Sequence, residues 1–183
     1  MKTAPLLGVL TGLPAAGKTT LATVLGRELA LPVISKDDYK QVLLDLLPED
    51  QRLARHSEMG KAGYFVMLRA ADAILTARQS LILETHFYLG MSEPDLLALA
   101  ERYGAQLLQI HCSADLAELK RRHAARVESG ERPYIDHPGI HDRIPENANW
   151  KPLELDAPLL RLDTAAPDAH AQALAWVRPW LGR

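Results

Sequence analysis

The chain has 183 residues, 21 Lys+Arg against 23 Asp+Glu, a formal net charge of −2 and 48% hydrophobic residues. The length and the hydrophobic fraction predict one domain over residues 1–183 whose core needs no disulfide or structural metal. The near-neutral net charge disfavours a nonspecific nucleic-acid binder. The single cysteine, Cys112, suits a reducing compartment, and no apolar run reaches the roughly 18 residues of a membrane span. We therefore expect a cytoplasmic protein.

Apolar runs alternate with amphipathic segments along the chain. Strands are predicted at 6–10, 31–35, 80–84, 106–111 and 159–163. Helices are predicted at 19–30, 37–47, 55–78, 92–102, 113–127 and 168–181. The polar segment at about 128–150 has no sustained apolar period, and a loop of this length is typical of a lid or binding loop. The alternation predicts an α/β fold with a mainly parallel five-stranded sheet between helical layers and a ligand site beyond the carboxyl ends of the strands.

A glycine-rich motif connects the first strand to the first helix and matches the phosphate-binding loop (P-loop) pattern. The residues expected to bind the nucleotide are Gly12, Leu13, Pro14, Ala15, Ala16, Gly17, Lys18, Thr19 and Thr20. The glycines allow backbone N–H groups to point at a phosphate, and the helix N-terminus adds partial positive charge. Lys18 is expected to reach the β- and γ-phosphates, and the Thr19 hydroxyl is expected to bind Mg²⁺.

Two carboxylates, Asp37 and Asp38, follow the second predicted strand. Acids in a first helical turn are favoured by the helix dipole, which is one explanation for them. Beside a phosphate loop, a carboxylate can also orient an alcohol and accept its proton during phosphoryl transfer. Both interpretations stay open at this point.

Another carboxylate, Glu84, ends the strongly apolar third strand. It could hold the water shell of Mg²⁺ or contact a substrate, or it could be an ordinary strand-end acid. His86, two residues further on, is a candidate substrate contact.

The helix before the long loop is basic at its far end. Arg122 and Arg126 are four residues apart, so they share one helical face. One interpretation is that their exposed charges interact favourably with the dipole at the C-terminal end of the helix. The other is that they supply positive charge to a phosphate site.

Residues 12–21 and 35–41, followed by a basic helix and a long loop, resemble the small P-loop kinases that phosphorylate hydroxyl groups. The stretch 37–40 is similar to the corresponding part of the kinase domain of phage-type polynucleotide 5′-hydroxyl kinases. Zeta-toxin-like kinases, gluconate kinases and chloramphenicol phosphotransferases share the same general plan. The resemblance implies a three-layer α/β/α fold with strand order 2-3-1-4-5 and a lid, at about 128–150, over the nucleotide site.

The resemblance also implies roles for individual residues. Asp37 would be the base that accepts the proton of the substrate hydroxyl. Lys40 stands where the polynucleotide kinases have an arginine that contacts substrate phosphate, and a lysine lacks the bidentate geometry of that arginine. Arg122 and Arg126, with Arg132 as a third candidate, would contact adenine and the phosphates during transfer.

The resulting hypothesis is an ATP-dependent, Mg²⁺-requiring kinase that phosphorylates a hydroxyl of a small molecule. ATP is favoured over GTP because the guanine-selective Asn/Thr-Lys-x-Asp pattern is absent. One alternative is a kinase of nucleic-acid 5′-hydroxyl ends, and another is a P-loop module that binds ATP to switch a partner. The acceptor and the oligomeric state stay open, and no membrane partner is expected.

Overall fold

Five strands form one sheet in the computed structural model, which describes residues 4–130, 132–136 and 151–182. The strands are β1 (Leu6–Gly12), β2 (Val33–Ser35), β3 (Leu81–Glu84), β4 (Gln106–Ser113) and β5 (Leu159–Asp163). The helices are α1 (Lys18–Leu29), α2 (Lys36–Asp45), α3 (Glu49–Arg52), α4 (His56–Thr76), α5 (Glu93–Tyr103), α6 (Leu116–Ser129) and α7 (Ala169–Val177), which a 3₁₀ turn (Arg178–Leu181) follows.

All strand pairs are parallel, and the order across the sheet is β2-β3-β1-β4-β5. This confirms the predicted sheet and its order. In the register, Ser35 pairs with Glu84, Gly12 pairs with Cys112, and Ser113 pairs with Asp163. The ends of all five strands therefore meet at one edge, where the chain enters the loops that carry the candidate site.

Each face of the sheet has its own core because successive side chains of a strand point to opposite faces. Leu6 and Leu10 of β1 pack with the cluster under α1 and α7, whereas Leu7 and Val9 pack with the cluster under α4 and α5. Every residue of β1 is buried. The three-layer α/β/α architecture is thus as predicted, with β1 at its centre.

The element boundaries differ from the prediction in a few places. The helix predicted at 37–47 ends at Asp45, and the short α3 was not predicted. The helix predicted from 113 begins at Leu116 because β4 continues to Ser113, which pairs with β5. Ser92 does precede α5, but its hydroxyl accepts the N–H of Tyr88 instead of capping the helix.

The predicted lid at about 128–150 is only partly within the described residues. Helix α6 continues through Ser129, and residues 132–136 form a turn in which the N–H of Asp136 donates to the carbonyl of Arg132 at 2.9 Å. Residues 131 and 137–150 lie outside the described part of the chain. None of the helices in the described ranges is long and apolar enough to cross a membrane.

Candidate phosphoryl-transfer site

The turn from β1 to α1 depends on two glycines. Gly12 has φ +142°, and a Cβ at this position would lie 2.2 Å from the carbonyl oxygen of Cys112 on β4. Gly17 has φ +79°, and a Cβ there would lie 3.2 Å from the side chain of Thr164. Positive φ and close neighbours both exclude larger side chains, which explains why the motif needs glycine at these positions.

Lys18, the first residue of α1, is a buried cation. Its Nζ donates to the carbonyl oxygen of Leu13 at 2.9 Å, so the side chain folds back over the loop. Burial lowers the pKa of Lys18, and the charges of Glu84 and Asp37 partly offset this by favouring the protonated form. The loop, the α1 N-terminus and this ammonium concentrate positive charge at the end of β1.

A cavity of about 490 Å³, which we call the P-loop cavity, opens beside this turn. Its lining includes Lys18, Thr19, Arg121, Arg122, Arg126 and Thr164. Both arginines predicted from the shared face of α6 therefore reach the side of the phosphate loop. The lining is cationic, as a site for a polyphosphate requires.

The two predicted arginines are held in different ways. The Nε of Arg122 donates to Glu118 at 2.7 Å and its Nη1 donates to the Thr164 hydroxyl at 3.0 Å, which ties α6 to the end of β5. Arg126 pairs with the buried Asp136 at 2.8 Å, and its buried Nε has no hydrogen-bond partner in the described structure. Arg126 thus keeps donor capacity beside the cavity.

Asp37 lies at the start of α2 among positive charges. Its carboxylate is 2.9 Å from Lys36 Nζ and 3.4 Å from Arg132 Nη2. Burial alone would raise the pKa of Asp37, but Lys36, Arg132 and Lys18 together hold it below its usual value. Asp37 is therefore ionised at neutral pH and able to accept a hydrogen bond from an alcohol. The neighbouring Asp38 is exposed.

A second cavity, of about 590 Å³, lies between α2 and α4, and we call it the α2/α4 cavity. Its lining includes Lys36, Lys40, His56, Lys61, Tyr64 and His86. Lys40 and His86 were predicted from the sequence as substrate contacts, and both lie here. Glu84 is buried near Lys18 and lines neither cavity.

His86 links this cavity to the phosphate loop. Its Nδ1 donates to the carbonyl oxygen of Gly12 at 3.1 Å, which leaves Nε2 of a neutral ring as an acceptor. Burial, with the charges of Lys18 and Lys36, lowers the pKa of His86, so the ring is neutral at pH 7.

Sequence reasoning missed Lys36, His56, Lys61 and Tyr64. They belong to helices with ordinary amphipathic patterns, and no local motif marks their convergence. A signal was present in α4, where Gly60 and Gly63 interrupt an otherwise helix-favouring stretch. Glycines in a helix interior are unfavourable by about 1 kcal/mol each, so their presence indicates close packing.

Comparisons with known proteins agree with this geometry. Residues 7–137 match a family model described as an AAA domain. A proposed kinase from Chloroflexus aurantiacus is 30% identical, with a TM-score of 0.85 over 100% of this chain and 98% of the other. No curated protein sequence matches the chain significantly.

Two more distant structures share the fold alone. A sugar kinase from Janibacter sp. has a TM-score of 0.60 at 19% identity, over 97% of this chain and 95% of the other. The APS kinase of Mycobacterium tuberculosis, in complex with AMPPNP and APS, has a TM-score of 0.59 at 16% identity, over 100% of both chains. The fold is therefore that of P-loop kinases.

Proposed function

The chain belongs to the AAA domain family, a P-loop kinase-like family, and we propose that it transfers the γ-phosphoryl group of ATP to a hydroxyl of a small molecule, with Mg²⁺. The observation that carries this proposal is the position of Asp37, which lines neither cavity but interacts with a lining residue of each. Its carboxylate pairs with Lys36 of the α2/α4 cavity and is close enough to Lys18 of the P-loop cavity for their charges to interact. One carboxylate is thus near both proposed reactants.

In the P-loop cavity, the backbone N–H groups of residues 12–17 and the Lys18 ammonium would bind the phosphates of ATP. Arg122 and Arg126 would add positive charge around the transferring group. Such charge counts most in the transition state, when negative charge spreads over the equatorial and leaving oxygens. Thr164 would keep Arg122 in place through its hydroxyl.

Mg²⁺ fits the oxygen donors that the site offers. The Thr19 hydroxyl is exposed in the P-loop cavity, and the described residues contain no group of three or more His, Cys, Asp or Glu side chains that could hold a metal. This suits an ion that binds mainly through phosphate oxygens and water, with one or two protein ligands. When bound, Mg²⁺ would neutralise charge on the β- and γ-phosphates.

In the transfer step, Asp37 would accept a hydrogen bond from the acceptor hydroxyl and then its proton. The alcohol oxygen forms a bond to the γ-phosphorus, the bond from that phosphorus to the β–γ bridging oxygen breaks, and ADP leaves. The low pKa of Asp37 keeps it ionised before the reaction, as a proton acceptor must be.

A cavity of about 590 Å³ is within the usual range for small-molecule sites, which supports a small acceptor over a nucleic-acid end.

The test is Mg²⁺-dependent release of ADP from ATP, measured over a panel of sugars, sugar acids, nucleosides, aminoglycosides, chloramphenicol and 5′-hydroxyl oligonucleotides. We expect one class to stimulate release. In Asp37→Asn, kcat should fall at least about 100-fold while ATP binding is retained, because a lost general base typically costs that much. The matched control is Asp38→Asn, in which an exposed neighbouring carboxylate is lost, and it should stay near wild type.

A slow release that no acceptor changes, equal in wild type and Asp37→Asn, would favour an ATP-binding switch instead. Stimulation by oligonucleotides alone, sensitive to salt, would favour the nucleic-acid kinase.

A further inference from the structure

The turn at 132–136 brings an arginine to the proposed base. Nη2 of Arg132 lies 3.4 Å from Oδ2 of Asp37, although the two residues are 95 positions apart in the chain. Nζ of Lys36 lies 2.9 Å from the other carboxylate oxygen, Oδ1. Each oxygen of Asp37 therefore has one cationic partner, and each has a further lone pair that can accept a hydrogen bond from an alcohol.

The turn itself is anchored on two sides. The carboxylate of Asp136, a residue only 6% exposed, lies 2.8 Å from Nη2 of Arg126 on α6 and 3.9 Å from Nε of Arg132. On the other side, the guanidinium of Arg52 in α3 lies 5.2 Å from the centre of the Tyr134 ring, which is a cation–π contact. Arg132 therefore approaches Asp37 from a backbone that is held in place.

Arg132 does not lie where the resemblance to the small P-loop kinases places it. Its guanidinium is shared by two carboxylates, those of Asp37 and Asp136, and it is not among the described lining residues of the P-loop cavity. Arg126 does line that cavity. The two arginines are therefore separated, with Arg126 beside the phosphate loop and Arg132 beside the base.

A second partner matters for the orientation of an aspartate. The terminal torsion of an aspartate side chain is broad, so a contact to one oxygen leaves the carboxylate plane free to rotate. Lys36 alone would hold only Oδ1 of Asp37. Contact between Arg132 and Oδ2 restricts that rotation, and misplacement of a reacting group by about 1 Å can cost about 100-fold in rate.

We propose that Arg132 is a positioning residue for Asp37. It binds Oδ2, holds the carboxylate plane toward the acceptor hydroxyl, and acts on the reaction through the base and not through the phosphates of ATP. The inference rests on the proposed kinase function and adds a residue to the acceptor side of the same site.

A double-mutant cycle on kcat distinguishes these two routes. In the wild-type chain, Arg132→Gln should lower kcat at least about tenfold, because the base is no longer held. In the Asp37→Asn background the same substitution should cost nothing further, since residues that act through one group are not additive. Arg126→Ala should lower kcat in both backgrounds. An equal loss for Arg132→Gln in both backgrounds would overturn the proposal and leave the kinase function intact.

A conservative variant and a matched control complete the kinetic test. Arg132→Lys keeps the charge, but a single ammonium cannot bridge Asp37 and Asp136 as a guanidinium does, so it should recover only part of the kcat lost in Arg132→Gln. The control is Arg102→Gln, which removes an exposed arginine that pairs with Asp72 and lines neither cavity. It should leave kcat near wild type.

Nucleotide affinity gives a second readout. The Kd of a nonhydrolysable ATP analogue with Mg²⁺, measured by calorimetry, should stay within about twofold of wild type in Arg132→Gln, because the positioning role involves no phosphate contact. Lys18→Met, which removes the lysine of the phosphate loop, should lose this binding. Binding that is at least about tenfold weaker in Arg132→Gln would make Arg132 a phosphate contact and overturn the proposal.

A third measurement does not need turnover. Carboxyl ¹³C NMR follows the protonation of Asp37 below about pH 6, where a carboxylate gains its proton. The pKa of Asp37 should be higher in Arg132→Gln than in wild type, because one of the cations that favour the charged form is lost. In Arg102→Gln it should not change.

Other groups near Asp37 do not imitate this effect. They are Lys18, Lys36, Lys40 and His86. The lysines keep their charge below pH 6, and His86 is present in both proteins, so its protonation causes no difference between them. Asp136, the second partner of Arg132, gives its own carboxyl signal.

The outcomes separate the two proposals. A raised pKa of Asp37 in Arg132→Gln, without ADP release stimulated by any alcohol, would place Arg132 on Asp37 and contradict the kinase. An unchanged pKa would contradict the positioning role whether or not ADP is released. The Arg132 side chain is 27% exposed, so its replacement leaves no buried gap. If Arg132→Gln nevertheless fails to fold, Arg132→Lys decides through the same cycle with Asp37→Asn.

Discussion

Arg126 shows what a single side chain contributes at this site. Its guanidinium is anchored at one end by Asp136, while its Nε is buried without a hydrogen-bond partner in the described structure. A donor held in this way costs free energy in the ground state and can recover it when negative charge develops nearby. We therefore expect Arg126 to act mainly in the transition state.

The corresponding variant is Arg126→Ala. We expect kcat to fall by about 10- to 1,000-fold while the KM for ATP rises less, because an interaction made mainly in the transition state affects kcat most. Steady-state kinetics at saturating acceptor measure both constants.

The control for this variant is Arg69→Ala, which removes an exposed arginine of α4 that pairs with Asp72 and lines neither cavity. It should leave both constants near wild type. An equal loss of kcat/KM and ATP affinity in Arg126→Ala, with kcat unchanged, would instead make Arg126 a ground-state contact.

Among individual residues, those within a local motif were predictable and those without one were not. Lys18 and Thr19 were predicted as nucleotide contacts from the loop motif after β1, and Asp37 was predicted as the base from the resemblance to the small P-loop kinases; these roles stay predictions. Lys36 and Arg132 flank Asp37 in space, but Arg132 is 95 residues away along the chain. Its pairing depends on the fold of α6 and the turn after it.

At the scale of elements, the turn from β1 to α1 is tightly constrained by its contact with β4. Gly12 approaches β4 so closely that a methyl group would overlap the carbonyl oxygen of Cys112. This approach brings the phosphate loop into register with the sheet edge, where Glu84 and Ser113 end their strands. The conformation of the phosphate loop therefore depends on the contact between Gly12 and β4.

Gly12→Ala tests this constraint. We expect it to lower the free energy of unfolding by at least about 2 kcal/mol, because the clash adds to an unfavourable φ. The control is Gly104→Ala at the end of α5, where φ is +57° and nothing lies within 4 Å of the added Cβ. It should cost only the roughly 1–2 kcal/mol of left-handed backbone strain. Urea unfolding measures both, and equal losses would show that the contact with Cys112 does not matter.

The elements themselves were largely predictable because strands and helices here have clear apolar periods. The exceptions have local causes. Helix α3 is only four residues long and has no buried residue, so it leaves no periodic pattern. The end of β4 was placed too early, at residue 111, because Ser113 reads as the start of a helix; pairing with β5 keeps Cys112 and Ser113 extended.

At the scale of the whole molecule, nucleotide binding should stabilise the fold, because the P-loop cavity joins β1, α1, α6 and the end of β5. With Mg²⁺ and a nonhydrolysable ATP analogue at 100 times its Kd, linkage gives about 2.7 kcal/mol. For a chain of this size, that raises Tm by roughly 5–10 °C. Calorimetry should show one cooperative transition, which also tests the prediction of a single domain over residues 1–183.

The matched variant for this experiment is Lys18→Met. Its Tm without nucleotide should stay within a few degrees of wild type, because an apolar chain replaces a buried charge of similar length. Its Tm should no longer rise with the analogue. A full shift in Lys18→Met would mean that the nucleotide binds elsewhere, and two separate transitions in wild type would contradict a single domain.

The amino-acid sequence by itself determined most of the strands and helices and the phosphate loop, since these depend on short-range patterns: apolar periods, glycines at a tight turn, and a lysine at a helix start. The strand order was expected only from the resemblance to the small P-loop kinases. Only the tertiary structure decided which charges line the α2/α4 cavity and surround Asp37. Lys40, His56 and Lys61 converge because α4 packs on α2 at Gly60 and Gly63, and Arg132 reaches Asp37 from a distant turn. Such contacts join residues far apart in the chain, and a local pattern carries no information about the distance between two helices.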